Sequence, residues 1–139
     1  MRTYLAKIEI PESIQKESTG YIGEKIFEIW FNNNYQGEKL FKQLADRDFE
    51  KIDFADEKGY TYQVKATRAK TYTFNCDIDN AGDYLNSELY VFIQLHDKYA
   101  YIEPICKKND VLNKLNKSFK VENSCFVYSL DLLQQKLFI

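Results

Sequence analysis

The sequence predicts a mixed α/β domain with a central sheet flanked by helices. Three observations carry that expectation. Residues 19–33 place Ile22, Ile26, Ile29, Trp30 and Phe31 at helical spacing on one broad apolar face. Several short runs rich in aromatic and β-branched residues follow, among them Leu89-Tyr90-Val91-Phe92-Ile93. Turn-forming residues separate these runs, as in Asp56-Glu57-Lys58-Gly59.

Each element can be justified in order. Tyr4, Ala6, Ile8 and Ile10 alternate with mostly polar residues, so 3–10 reads as a strand that Pro11 ends. Ser18 or Thr19 can cap the helix over 19–33, and Asn32-Asn33-Asn34 followed by Gly37 stops it. Residues 40–44, 50–55 and 61–67 are strand-like, with the turn 56–59 between the second and third. Residues 71–74 are expected to extend the same sheet, and 75–87 to be polar and irregular. The apolar run within 88–96 suits a buried central strand. Residues 99–103 read as another strand, ended by Pro104. Asn109 can cap a short helix through Asn116, and 125–130 reads as the last strand. The strands are expected to form a mostly antiparallel meander.

At 139 residues the chain reads as a single domain, residues 1–139. No apolar run approaches the roughly 18 residues that a membrane span requires. Lys7 and Glu9 interrupt the first ten residues, which therefore lack the pattern of a secretory signal. Cys76, Cys106 and Cys125 are an odd, scattered set without zinc-knuckle spacing, and read as buried or free thiols. A cytoplasmic protein with no membrane partner is the expectation. His96 is the only histidine and falls in a strand-end turn, so a triad-type hydrolase has little to build on. The net charge of −2 gives no support to generic nucleic-acid binding, although binding follows local charge rather than the sum.

The chemistry concentrates in Asp53 to Lys65. Side chains two apart on a strand share a face, so Gln63 and Lys65 point the same way and Val64 the other. A hairpin pairing 51–55 with 61–65 brings Asp53 within cross-strand or diagonal reach of Gln63. Glu24, on the helix upstream, can pack over the same sheet edge. Phosphodiester hydrolysis needs a hard cation, an activated water, and positive charge where the transition state gathers negative charge. Asp53 offers a carboxylate, Gln63 an amide oxygen and Val64 a backbone carbonyl, all suited to Mg²⁺, with Mn²⁺ as a substitute. Lys65 can orient the attacking water or stabilise developing charge. Glu24 can join the metal ligands or hold a metal-bound water, with Glu28 one turn later as the fallback acid.

These residues resemble the PD-(D/E)XK nuclease superfamily, the restriction-endonuclease-like fold. Its members carry a helix Glu, an Asp at a strand bend, and Asp/Glu-x-Lys on the next strand. Gly20-x-x-x-Glu24 matches the first element, Asp53 the second and Gln63-Val64-Lys65 the third, with Ala66-Thr67 following as small and hydroxyl residues often do. The resemblance covers 20–67 and extends more weakly to 88–103, where such folds place two further core strands. Two departures stand out. Gln63 replaces the usual acid, which removes a formal charge from the metal site. No Pro precedes Asp53. The resemblance implies a restriction-endonuclease-like domain that hydrolyses DNA with Mg²⁺, through catalytic Glu24, Asp53, Gln63 and Lys65. Such a short chain implies a homodimer or a partner protein if two strands are to be cut.

Arg68 and Lys70, with Tyr72 and Phe74 interleaved, form a basic patch that can contact a phosphate backbone or stack a base. Lys107, Lys108, Lys114, Lys117 and Lys120 read as a solvated face. Asp46, Asp48, Asp56 and Glu57 read as surface and turn residues. Asp77, Asp79 and Asp83 lack the glycine and terminal glutamate of a Ca²⁺ loop. The leading expectation is a metal-dependent endonuclease of restriction, resolvase or phage/repair type. Its rival is a catalytically inactive nuclease-like domain that binds nucleic acid or protein, an immunity-type module included.

Overall fold

The computed structural model describes residues 4–42, 52–117 and 124–133. They form an α/β protein with a mixed, strongly curled seven-strand sheet, a small antiparallel sheet and four helices. The large sheet takes its strands in the order β1 (Ala6–Glu9), β7 (Tyr99–Ile102), β6 (Leu89–His96), β4 (Thr61–Thr67), β3 (Phe54–Asp56), β2 (Leu40–Lys42). A two-residue strand, β8 (Cys106–Lys107), pairs with the start of β6, on the edge that β7 occupies at its end. The small sheet is β5 (Thr71–Phe74), β10 (Cys125–Tyr128) and β9 (Asn116–Lys117).

Helix α1 (Thr19–Asn34) forms as its sequence directs. Ser18 caps it, its hydroxyl accepting from the Tyr21 N–H at 3.3 Å. Asn34 closes the other end by donating to the Trp30 carbonyl at 2.8 Å, and Gly37 turns the chain at a φ of +87°. The buried face of α1, with Ile22, Ile26, Phe27, Trp30 and Phe31, lies on one side of the large sheet against Phe54, Tyr62, Val91 and Ile93. The opposite side packs Tyr90 and Phe92 against Tyr72, Phe74 and Val127 of the small sheet. Strand β6 therefore alternates between two dry cores, and its residues 89–95 are all buried.

Two short helices complete that second layer: α2 (Ala81–Tyr84), and α3 (Lys108–Lys114), which contributes Val111. The last helix, α4 (Ser129–Leu133), follows β10 directly.

The expected elements are largely present, and six expectations need correction. Residues 71–74 do not extend the central sheet; they pair with β10 in the small one. The meander is broken where β4 and β6 run parallel, joined by a crossover through β5 and α2. Residues 75–87 are not wholly irregular, since a 3₁₀ turn (Ile78–Asn80) leads into α2. Asn109 lies inside α3, whose cap position is Lys107. The last strand stops at Tyr128, two residues early, because the chain turns into α4. Of the strand expected over 50–55, residues 50 and 51 lie outside the described residues, and of 52–55 Phe54 and Ala55 belong to β3.

Candidate metal and phosphodiester site

The hairpin turn places the site. Asp56 Oδ1 accepts from the Lys58 and Tyr60 N–H groups at 2.9 and 3.0 Å, and the Tyr62 hydroxyl donates to its Oδ2 at 2.8 Å. Gly59 takes a φ of +90° to complete the turn. Asp56 is thus an organiser of the turn, as its position in the sequence suggests. The ladder that follows is short. Phe54 and Ala55 pair with Tyr62 and Thr61, and β4 then runs on beyond β3.

Asp53 sits at that break. Its N–H donates to the Tyr62 carbonyl at 2.8 Å, one residue out of the strand register, so the chain bends there. Its Oδ2 accepts the Val64 N–H at 2.8 Å, replacing the missing strand partner. In an extended strand the N–H and C=O of one residue point to the same side, so the Val64 carbonyl is directed to this edge as well.

Glu24 reaches the same edge from α1. A Cβ on the neighbouring Gly23 would stand 2.6 Å from the Ala66 Cβ, so this turn of α1 lies directly on β4. Burial and then the nearby Asp53 charge raise the Glu24 carboxyl above the usual carboxylate range. Lys42 opposes this, with its ammonium 3.3 Å from Glu24 Oε1. Glu28 is turned to Lys25, at 3.5 Å, which leaves Glu24 as the better placed acid of the two.

Gln63 and Lys65 lie on the other face of β4. Val64 packs towards α1, and the Lys65 ammonium stands 4.8 Å from the Phe74 ring centroid, on the side of the small sheet. Gln63 is 3% exposed, and its Oε1 is buried without a hydrogen-bond partner. An orphaned amide oxygen of this kind is uncommon and is the sort of group that a cation satisfies.

The residues expected from the sequence thus fall into two groups joined by β4. Glu24, Asp53 and the Val64 backbone form one; Gln63 and Lys65 form the other. Among the described residues no three of His, Cys, Asp and Glu gather as a ready metal cluster. The two carboxylates and the strand-edge carbonyl of the first group are nevertheless all oxygen donors, which suits Mg²⁺.

Arg68 and Lys70 are exposed just past the end of β4, in the connection to β5. Sequence reasoning leaves His96 without a role and passes over Gln94, yet both line a cavity of about 570 Å³ beside these two cations. No signal in the sequence marks Gln94, since it sits within an apolar run. All three cysteines are buried free thiols, and burial pushes the Cys76 thiol up to about 11, so it is not a nucleophile at neutral pH. Asp46, Asp48 and Lys120 lie outside the described residues. No protein-family model matches the chain, and no curated protein is significantly similar to it.

Proposed function

We propose that the protein is a Mg²⁺-dependent endonuclease with a restriction-endonuclease-like core, acting on DNA. The observation that carries this reading is the junction of Glu24, Asp53 and the Val64 N–H at the point where β4 outruns β3. β6 and β7 lie beside β4, where the resemblance to the nuclease superfamily places two further core strands.

Glu24, Asp53 and the Val64 carbonyl would hold the metal, while Gln63, expected from the sequence to join them, lies on the other face of β4 and does not share that position. Bound there, Mg²⁺ would supply Lewis acidity at the phosphoryl oxygen and a more acidic water. The reaction is hydrolysis. Water oxygen forms a new bond to phosphorus, the bond to one deoxyribose oxygen breaks, and that oxygen leaves with a proton. Asp53 is fixed by the Val64 N–H, which holds its carboxylate at the strand edge. Glu24, with its raised affinity for a proton, suits holding and deprotonating a water. Lys65 would bring positive charge to the phosphate, leaving its place over Phe74 to do so.

The test is cleavage of supercoiled plasmid and of a four-way junction with Mg²⁺, Mn²⁺ or EDTA. Metal-dependent cutting is expected. Lys65→Ala should lower the rate by about 10²–10³-fold while DNA binding persists. Absence of cleavage together with absence of Mn²⁺ binding dependent on Asp53 would overturn the reading.

One observation favours the rival, a non-catalytic nuclease-like domain. Lys42 already places a cation 3.3 Å from Glu24, and Gln63 carries no charge. That reading requires the protein to ignore divalent metal, which the same Mn²⁺ titration decides.

A further inference from the structure

The cavity of about 570 Å³ lies at the ends of the parallel pair β4 and β6, closed on its far side by β10 and α4. Its lining includes Arg68, Lys70, Gln94, His96, Tyr128 and Asp131. The volume suits a group of the size of one nucleotide. Gln94 pairs with Thr67 across the parallel ladder. Lys65 lies two residues before Thr67 on the same face, so the cavity begins about 7 Å along the strand from the catalytic lysine.

The chemistry of the lining is divided. Arg68 and Lys70 are exposed cations, and neither makes an ion pair among the described residues. Gln94 is different: it is 3% exposed and held from behind. Its Nε2 donates to the Tyr72 hydroxyl at 3.0 Å. The Tyr72 hydroxyl spends its own hydrogen on Glu103 Oε2, a fully buried carboxyl. Burial and the Glu103 charge raise the Tyr72 pKa far above the ordinary phenol value, so it keeps that hydrogen. Tyr72 can therefore only accept from Gln94, which fixes the amide with its nitrogen inward. Gln94 Oε1 is then the free acceptor at the cavity. A site for phosphate alone has no use for a fixed acceptor, whereas every nucleobase carries an N–H donor. Tyr128, 45% exposed, offers an aromatic face, and Asp131 a second acceptor.

We propose that this cavity is a nucleotide subsite of the substrate strand. It takes one unpaired nucleotide flanking the reacting phosphate. Arg68 and Lys70 hold its backbone phosphate, Tyr128 stacks on its base, and Gln94 Oε1 accepts from the base edge. Tyr72 and Glu103 are positioning residues for Gln94. The subsite rests on the nucleic-acid part of the function proposed above, and not on cleavage.

The experiment uses the full chain, ¹⁵N-labelled, in EDTA. Amide spectra are followed while inorganic phosphate, a deoxynucleoside monophosphate and a single-stranded oligonucleotide are titrated separately. The mononucleotide and oligonucleotide should both shift the Gln94 side-chain amide and the Ala69 backbone amide, the oligonucleotide at lower concentration. Phosphate should move Ala69 and leave Gln94 still. Tyr128→Ala, a surface change, should weaken oligonucleotide binding about tenfold. Arg68→Ala should weaken it less at high salt than at low salt. A Gln94 amide that the oligonucleotide fails to move would overturn the proposal, as would phosphate reproducing every shift. These titrations in EDTA read binding apart from cleavage. A Gln94 response without any cleavage would therefore sink the nuclease reading alone. Cleavage with a silent Gln94 would sink the subsite alone.

Discussion

Glu24 is held between opposing influences. Burial and Asp53 disfavour its charge, and Lys42 favours it, with the net shift upward. A raised carboxyl pKa stabilises the fold below the ordinary carboxylate range, and that contribution is lost as pH rises through the folded-state value. At neutral pH the charged Glu24 is therefore a net strain on the metal-free protein. Glu24→Gln should raise the melting temperature in EDTA at pH 7, and the gain should vanish near pH 4. The same change should abolish stabilisation by Mn²⁺. Thermal melts of both proteins at the two pH values, with and without Mn²⁺, check all three statements. Under the proposed function, this would be a conflict between stability and activity. At this scale the sequence is informative about residue type and silent about orientation. It offers Glu24, Asp53, Gln63 and Lys65 as candidates by spacing. It cannot place the Lys65 ammonium over Phe74, because Phe74 arrives from a different sheet.

At the scale of elements, the approach of α1 to β4 decides how firmly the acids are held. Gly23 leaves no space for a methyl group, since the opposing Ala66 Cβ is fixed to the strand backbone. Gly23→Ala gains about 1 kcal/mol of helix propensity yet should still destabilise the protein by about 1–3 kcal/mol through overpacking. Ala66→Gly in the same chain should restore most of the loss, which denaturant melts of the double-mutant cycle would show. Failure of Ala66→Gly to rescue would mean that the contact is not the cause. Helix α1 and strand β4 are readable from sequence because cap, period and turn residues agree along each of them. The destination of β5 is not. Thr71–Phe74 alternates like any half-buried strand, and alternation says nothing about which partner accepts it. Helix α3 begins at Lys108 rather than after Asn109, because the backbone there is already set by β8 pairing with β6 and by the Lys108 N–H donating to the Glu88 carbonyl.

At the scale of the molecule, the two cores share strand β6, and neither can be assembled without it. Its apolar run announces a central strand in the sequence. The parallel pairing with β4 does not show there, because the crossover carries no long helix to signal it. The fold class was thus legible from pattern, while the division into two sheets depends on contacts between residues far apart in the chain.

The parallel junction of β4 and β6 also sets an order of events during folding. Strands β6 and β7 are joined by Asp97 and Lys98 alone, so their pairing closes a minimal loop. Pairing β4 with β6 requires the whole of residues 68–88 to be looped out, at a greater entropic cost. The β6–β7 hairpin should form first and β4 dock later. Pulse-labelled hydrogen exchange should find the amides of Gln94 and Tyr101 protected before that of Lys65, whose backbone faces β6. The Val64 amide that fastens Asp53 faces β3 instead, so that grip belongs to a local hairpin and can close before β4 docks on β6.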